Sequence, residues 1–225
     1  MEDVYVMLLG DFSPCLEHLV RAYYMAKTKQ NSETFLEESE KVGIVTNIGK
    51  KTVRVHLQIA TTKHKLSQAK TDGCRADEYK SRLLDTDLIV LCFYQNNRKT
   101  LTNIYHKYKT ELQEWYPKTP SYLMGVLINE IKDGMVKPLR ETISLEDRWL
   151  NRDLDVLDKD GKNIARIIKA QSYLKCKTIT RDEIFESESD LGEEEVENCK
   201  EVERAIDKCV KFIIRRKNRK CIRPF

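Results

Sequence analysis

The sequence predicts an α/β domain with a mainly parallel six-stranded sheet, one antiparallel edge hairpin, and helices on both faces. Three observations carry this. "VYVMLLG" and "TDLIVLCFY" are nearly unbroken apolar runs of strand length, the pattern of strands buried on both faces in a parallel sheet. Segments with helical spacing follow such runs. One early pair of segments alternates strictly, as a half-covered antiparallel hairpin does.

The elements follow in order. Val4 to Gly10 is the first strand, and Leu16, Leu19, Val20 and Tyr23 give the helix after it one apolar face. The polar stretch from Lys27 to Lys41 reads as a loop. Val42 to Val45 and "TVRVHLQIA", joined by "TNIGKK", form the hairpin, with Val53, Val55, Leu57 and Ile59 on one side. A polar connection leads to "TDLIVLCFY", followed by a helix through Leu101, Ile104, Tyr105, Tyr108 and Leu112. "WYPKTP" breaks the chain before the strand "SYLMGVLI". Ile128 to Leu157 is a polar excursion. "DKDGKNIARIIKA" is a helix capped by Asp158 or Asp160, and "SYLKCKTI" is the last strand. A final helix repeats apolar residues at Val202, Ile206, Cys209, Val210 and Ile213. Ligands of such sheets sit at the carboxyl ends of the strands, here the loops after Gly10, Ile59, Gly125 and Leu174.

Composition narrows the class. The 225 residues, 40% hydrophobic, suffice for one sizeable core. Nothing approaches the roughly 18 apolar residues of a membrane span, and the start "MEDVYVMLLGDF" is acidic where a signal peptide is basic. The expected location is cytoplasmic. Seven cysteines include no CxxC pair, and the four histidines form no ligand-spaced cluster with them, so reduced thiols are expected and no metal site. The net charge of +4 is too small to imply a partner. Acid gathers between Asp182 and Glu197 and base between Arg215 and Lys220.

The element order, with "CF" closing the fourth strand, "WYPKTP" before the fifth, Gly161 to Ala165 in the last-but-one helix and "YLKC" at Tyr173 to Cys176, resembles the Rho branch of the Ras-like small GTPases. The resemblance covers nearly the whole chain except the acidic segment and an enlarged loop after Ile59. It implies the P-loop NTPase fold of small G proteins over residues 1–214, an acidic insertion at about 181–198, and a basic C-terminal tail over 215–225.

Against that family the nucleotide motifs are degenerate. A working loop is GxxxxGK[ST], whose amides and lysine hold phosphate and whose hydroxyl holds Mg²⁺. Gly10 matches its first glycine, but Cys15, Leu16 and Glu17 stand at the last three positions. The lost lysine removes a charge-assisted contact worth about 1.5–3 kcal/mol, and Glu17 adds a like charge facing phosphate. At the family's DTAGQ position one register gives "ATTKH", and the other aligns Asp72 with Asp but puts Arg75 and Ala76 in place of Gly and Gln. Neither leaves a catalytic residue. The guanine motif [NT]KxD reads "VLIN", with Leu127 for lysine and Asn129 for the carboxylate, and Lys177 and Thr178 replace the "SA" beneath the base. Within Thr28 to Thr46, Thr34 reads either as the family's switch threonine or as an ordinary loop threonine.

The resemblance therefore implies a pseudo-GTPase, a module meeting signalling or cytoskeletal partners through switch-like surfaces, expected as a monomer with no cofactor. The alternative is a divergent but genuine GTPase holding GTP or GDP with Mg²⁺. Arg215, Arg216, Lys217, Arg219 and Lys220 occupy the place of a Rho basic tail, and two readings stay open. One is contact with a partner or with the anionic inner face of the plasma membrane, the other a solvated tail or import signal. Cys221 is fifth from the end where a CaaX box needs the fourth, so prenylation is not expected and palmitoylation stays open. Ser187 and Ser189 lie in the acidic run as candidate phosphosites. Nucleic-acid binding is not expected, because aromatic residues do not interleave with the basic cluster. Tyr105, Tyr108, Trp115 and Tyr116 fit core packing, and Trp149 fits either a core contact or a partner anchor.

Overall fold

The computed structural model describes residues 1–11, 13–28, 41–61, 86–110, 112, 116–132, 135–138, 156–181 and 193–221. The strands are β1 (Glu2–Gly10), β2 (Lys41–Ile48), β3 (Lys51–Thr61), β4 (Leu88–Tyr94), β5 (Ser121–Lys132), β6 (Met135–Pro138) and β7 (Tyr173–Arg181). The helices are α1 (Ser13–Thr28), α2 (Arg98–Asn103, continued by the π-helical turn Ile104–Tyr108), α3 (Asp158–Ile167) and α4 (Glu193–Cys221). The sheet runs β2-β3-β1-β4-β5, with both β6 and β7 paired to β5. β1, β3, β4, β5 and β7 are mutually parallel, and β2 pairs antiparallel with β3 as the hairpin pattern predicts.

Alternation along the buried strands sorts the core into two layers. Leu88, Val90, Cys92 and Tyr94 of β4 face one side with Val4, Val6 and Leu8 of β1, beneath α1 and α4. Ile89, Leu91 and Phe93 face the other with Met7 and Leu9, beneath α2 and α3. β4 and the second half of β1 therefore lack a polar face, as the helix-covered parallel sheet requires. The four apolar positions of α1, at Leu16, Leu19, Val20 and Tyr23, are all fully buried. Lys27, at the end of α1, bonds Glu203 at 2.7 Å and Asp207 at 2.9 Å, locking α1 to α4. Tyr23 donates to Asp207 at 3.1 Å, and burial, then that carboxylate, pushes its phenol far above the usual range.

On the opposite layer the ring of Tyr173 fills space that two glycines leave open. A Cβ on Gly161 would come within 2.6 Å of that ring, and one on Gly125 within 2.8 Å of its hydroxyl and 2.9 Å of Phe93. Gln95 Nε2 donates to the Tyr173 hydroxyl at 3.1 Å, which joins the end of β4 to β7.

The structure extends the sequence reading at four places. β5 and β7 run past the predicted strand ends at Ile128 and Ile179, pairing in register as far as Ile131↔Arg181, so the loops do not begin after Gly125 and Leu174. β6 adds a short antiparallel partner to β5, from Asn129↔Pro138 to Lys132↔Met135. Cross-strand pairing with β6 and β7 defines this extension. Asp158 and Asp160 lie inside the first turn of α3, and Leu157 is its N-cap with no side-chain cap bond. The two acids favour the helix through its dipole instead. Finally, α4 does not stop near Ile213 but carries the basic residues on to Cys221.

Candidate functional site

The strands' carboxyl ends bring the degenerate motifs to one end of the sheet, starting with Gly10. A Cβ there would lie 2.6 Å from the carbonyl oxygen of Cys92 and 3.5 Å from Leu16 Cδ2. Gly10 is thus required by the approach of β4, whatever its loop binds. Only two residues separate it from α1, whose first turn holds Pro14, a residue suited to that place. Cys15, Leu16 and Glu17 all belong to α1. Leu16 is fully buried in the core beneath the sheet, and Glu17 is partly exposed.

Asp11, directly after Gly10, is a carboxylate that the motif comparison does not single out. The buried Tyr108 donates to Asp11 Oδ1 at 2.7 Å, tying the π-helical turn of α2 to the loop. The sequence signal was available in the helical spacing of Tyr108, which predicts burial but not this partner.

The guanine-motif positions lie within the extended sheet. Leu127 pairs with Lys177, and Asn129 pairs with both Ile179 and Pro138. β7 occupies one edge of β5, so β6 lies on the other, in the lane that β4 leaves after Tyr94↔Val126. The hairpin of β5 and β6 therefore projects past the carboxyl end of β4. Val126 and Ile128 are fully buried and Leu127 partly so. Lys177 is exposed, and its backbone N–H donates to Glu201 at 3.1 Å. Thr178 is buried. Of "ATTKH", Ala60 and Thr61 end β3. The rest of that register, Asp72, Arg75, Ala76, Thr34, Trp115, Trp149, Ser187 and Ser189 lie outside the described residues.

The basic cluster is drawn onto the body of the protein. Lys217 Nζ bonds Asp87 Oδ2 at 2.7 Å and the Asp3 carbonyl at 2.9 Å, while the same Asp87 oxygen accepts from the Tyr5 N–H at 3.0 Å. Arg216 donates to the Lys118 carbonyl at 3.2 Å. Arg215 and Arg219 remain exposed, and Lys220 and Cys221 close the helix. Replacing Lys217 with alanine is expected to cost about 1 kcal/mol, the pair being partly exposed. Amide exchange should then speed up over the last two turns of α4 while β1 stays protected.

Three further groups have shifted ionisation. Burial, with Arg21 next, pushes the His18 imidazole of α1 down to about 4. The unfolded chain takes up that proton near 6.5 and the folded chain does not, so stability is full above pH 6.5 and falls towards pH 4. The loss amounts to up to about 3 kcal/mol. His18→Gln should flatten the decline of the urea midpoint across that window. Burial likewise pushes Cys209 up to about 12, and Cys176 higher still, leaving inert core thiols.

Among the described residues no three His, Cys, Asp or Glu side chains are placed to hold a metal ion. Among them, too, no helix is long and apolar enough to cross a membrane.

No protein-family profile matches the chain. Among curated proteins, the chain is similar to the Rho-related GTP-binding protein RhoE of Sus scrofa and of Homo sapiens, 27% identical over 95 residues in each case. The match covers 42% of this chain and 36% of each relative. The chain thus spans about a third of the length of the curated relatives it matches, and its likeness to a Rho-related small GTPase is a distant one.

Proposed function

We propose that the protein is a Rho-like pseudo-GTPase, a binding module that engages signalling or cytoskeletal proteins without a cycle of nucleotide binding and hydrolysis. The observation that carries this reading is Leu16. At the position where the family's lysine neutralises phosphate, this chain has a fully buried leucine packed against Gly10. Asp11 and Glu17 flank that position with carboxylates, which repel phosphate. On the guanine side, Leu127 and Asn129 are paired strand residues, whereas base recognition needs side chains presented at a strand end. Each loss alone weakens nucleotide affinity, and together they multiply, since every 1.4 kcal/mol is about tenfold.

The second reading, a divergent GTPase binding GTP or GDP with Mg²⁺, is favoured by one observation, the name "GTP-binding protein" carried by the similar proteins. Calorimetric titration of the purified chain with GDP and Mg²⁺ separates the two. Absence of binding heat is the expected result, and micromolar or tighter affinity would establish the second reading. A cytoplasmic location, with peripheral contact at the inner face of the plasma membrane, belongs to the same proposal. It predicts that Arg215 and Arg219, which are exposed, contribute to any membrane fraction.

A further inference from the structure

The buried face of α4 is formed by Val202, Ile206, Cys209, Val210 and Ile213. On the opposite face Lys200, Arg204, Lys208, Lys211, Arg215 and Arg219 recur at three- and four-residue spacing, all exposed, so they form one stripe along the helix. Of the acids bordering this stripe, Glu203 and Asp207 are engaged by Lys27 and Glu201 by the Lys177 N–H, while Glu197 pairs with Lys200 and Arg204 at the start of the stripe itself. Among the described residues, none of Lys208, Lys211, Arg215 and Arg219 has a carboxylate within ion-pairing distance. Lys208, Lys211 and Arg215 edge a groove of about 670 Å³ that Phe212, Tyr122 and the Lys27-paired Glu203 and Asp207 also line, the two rings meeting edge to face at 5.7 Å.

We infer that this groove is a docking site for an extended acidic segment of a partner protein. The spacing sets the chemistry. Successive cations from Lys211 to Arg219 lie four residues apart, about 6 Å along the helix, close to the ~6.6 Å between same-side residues of an extended chain. A segment with a carboxylate at every second position meets each cation in turn, and an aromatic residue in it packs on Phe212 and Tyr122. The groove is concave, so a chain enters it where a bilayer meets only the rim. Tyr122 is the second residue of β5, which puts the surface towards the amino ends of the strands. The inference therefore stands whether or not nucleotide binds at the carboxyl ends.

The test is fluorescence anisotropy with the full chain and a labelled peptide of four glutamates alternating with threonines plus one phenylalanine. Micromolar binding that weakens with salt is expected. The triple variant Lys208→Glu, Lys211→Glu, Arg215→Glu should weaken it at least tenfold, with helix content checked by circular dichroism. The control Lys159→Glu, Lys162→Glu, on exposed α3 positions, should leave it unchanged. Binding that survives the reversal, or falls equally in the control, overturns the proposal. So does failure of the peptide to bind, including the case where phosphatidylserine vesicles or single-stranded DNA bind in its place.

Discussion

Replacing Leu16 with lysine, which restores the phosphate-binding residue to the sequence, is expected to destabilise the domain by about 3 kcal/mol or more and to create no affinity for nucleotide. Leu16 is fully buried between α1 and the sheet, and an ammonium group there has lost its water. It must stay neutral, shift α1, or draw the side chain out at the expense of packing. A lower urea midpoint together with a flat GDP titration would agree with this account. If the variant unfolded at the parent midpoint and bound GDP, the site would be a working phosphate loop lacking one residue.

Gly10→Ala is expected to cost about 2–3 kcal/mol, because the new methyl would meet a backbone carbonyl that cannot rotate away. The contact, 2.6 Å to the Cys92 oxygen, lies where β1 and β4 pair in register through Leu9↔Leu91. The loss should appear as a lower unfolding midpoint with an unchanged denaturant slope. Were stability unaffected, the glycine would have to be explained by its loop instead of by the sheet.

Gly10 also shows what a sequence can and cannot disclose. It is at once the first glycine of a nucleotide motif and a packing requirement, and the string "LLGDF" does not distinguish the two. Strands and helices whose signal is apolar burial were legible: β1, β4, the inward residues of β3 and the four core positions of α1 all follow from periodicity. Extensions held by backbone pairing or by polar contact were not. Asn129 to Lys132 continue β5 because β6 and β7 satisfy their backbone, and α4 continues past Ile214 on residues whose hydropathy reads as solvent. Of the candidate site, the substitutions at Cys15, Leu16, Glu17 and Leu127 could be read directly. The Asp11 to Tyr108 bond could not, since it joins residues 97 positions apart and neither occupies a fixed position of a motif.

The packing of Tyr173 carries an evolutionary consequence. Its ring takes the volume that side chains at positions 125 and 161 would occupy, so the three positions share one fixed space and cannot drift independently. In descendants of this fold a smaller residue at 173 should be accompanied by a larger one at 125 or 161, and a chain that keeps the tyrosine should keep both glycines. The same arithmetic applies in the laboratory: Gly161→Ala alone overfills the space, and pairing it with Tyr173→Leu should recover part of the lost stability.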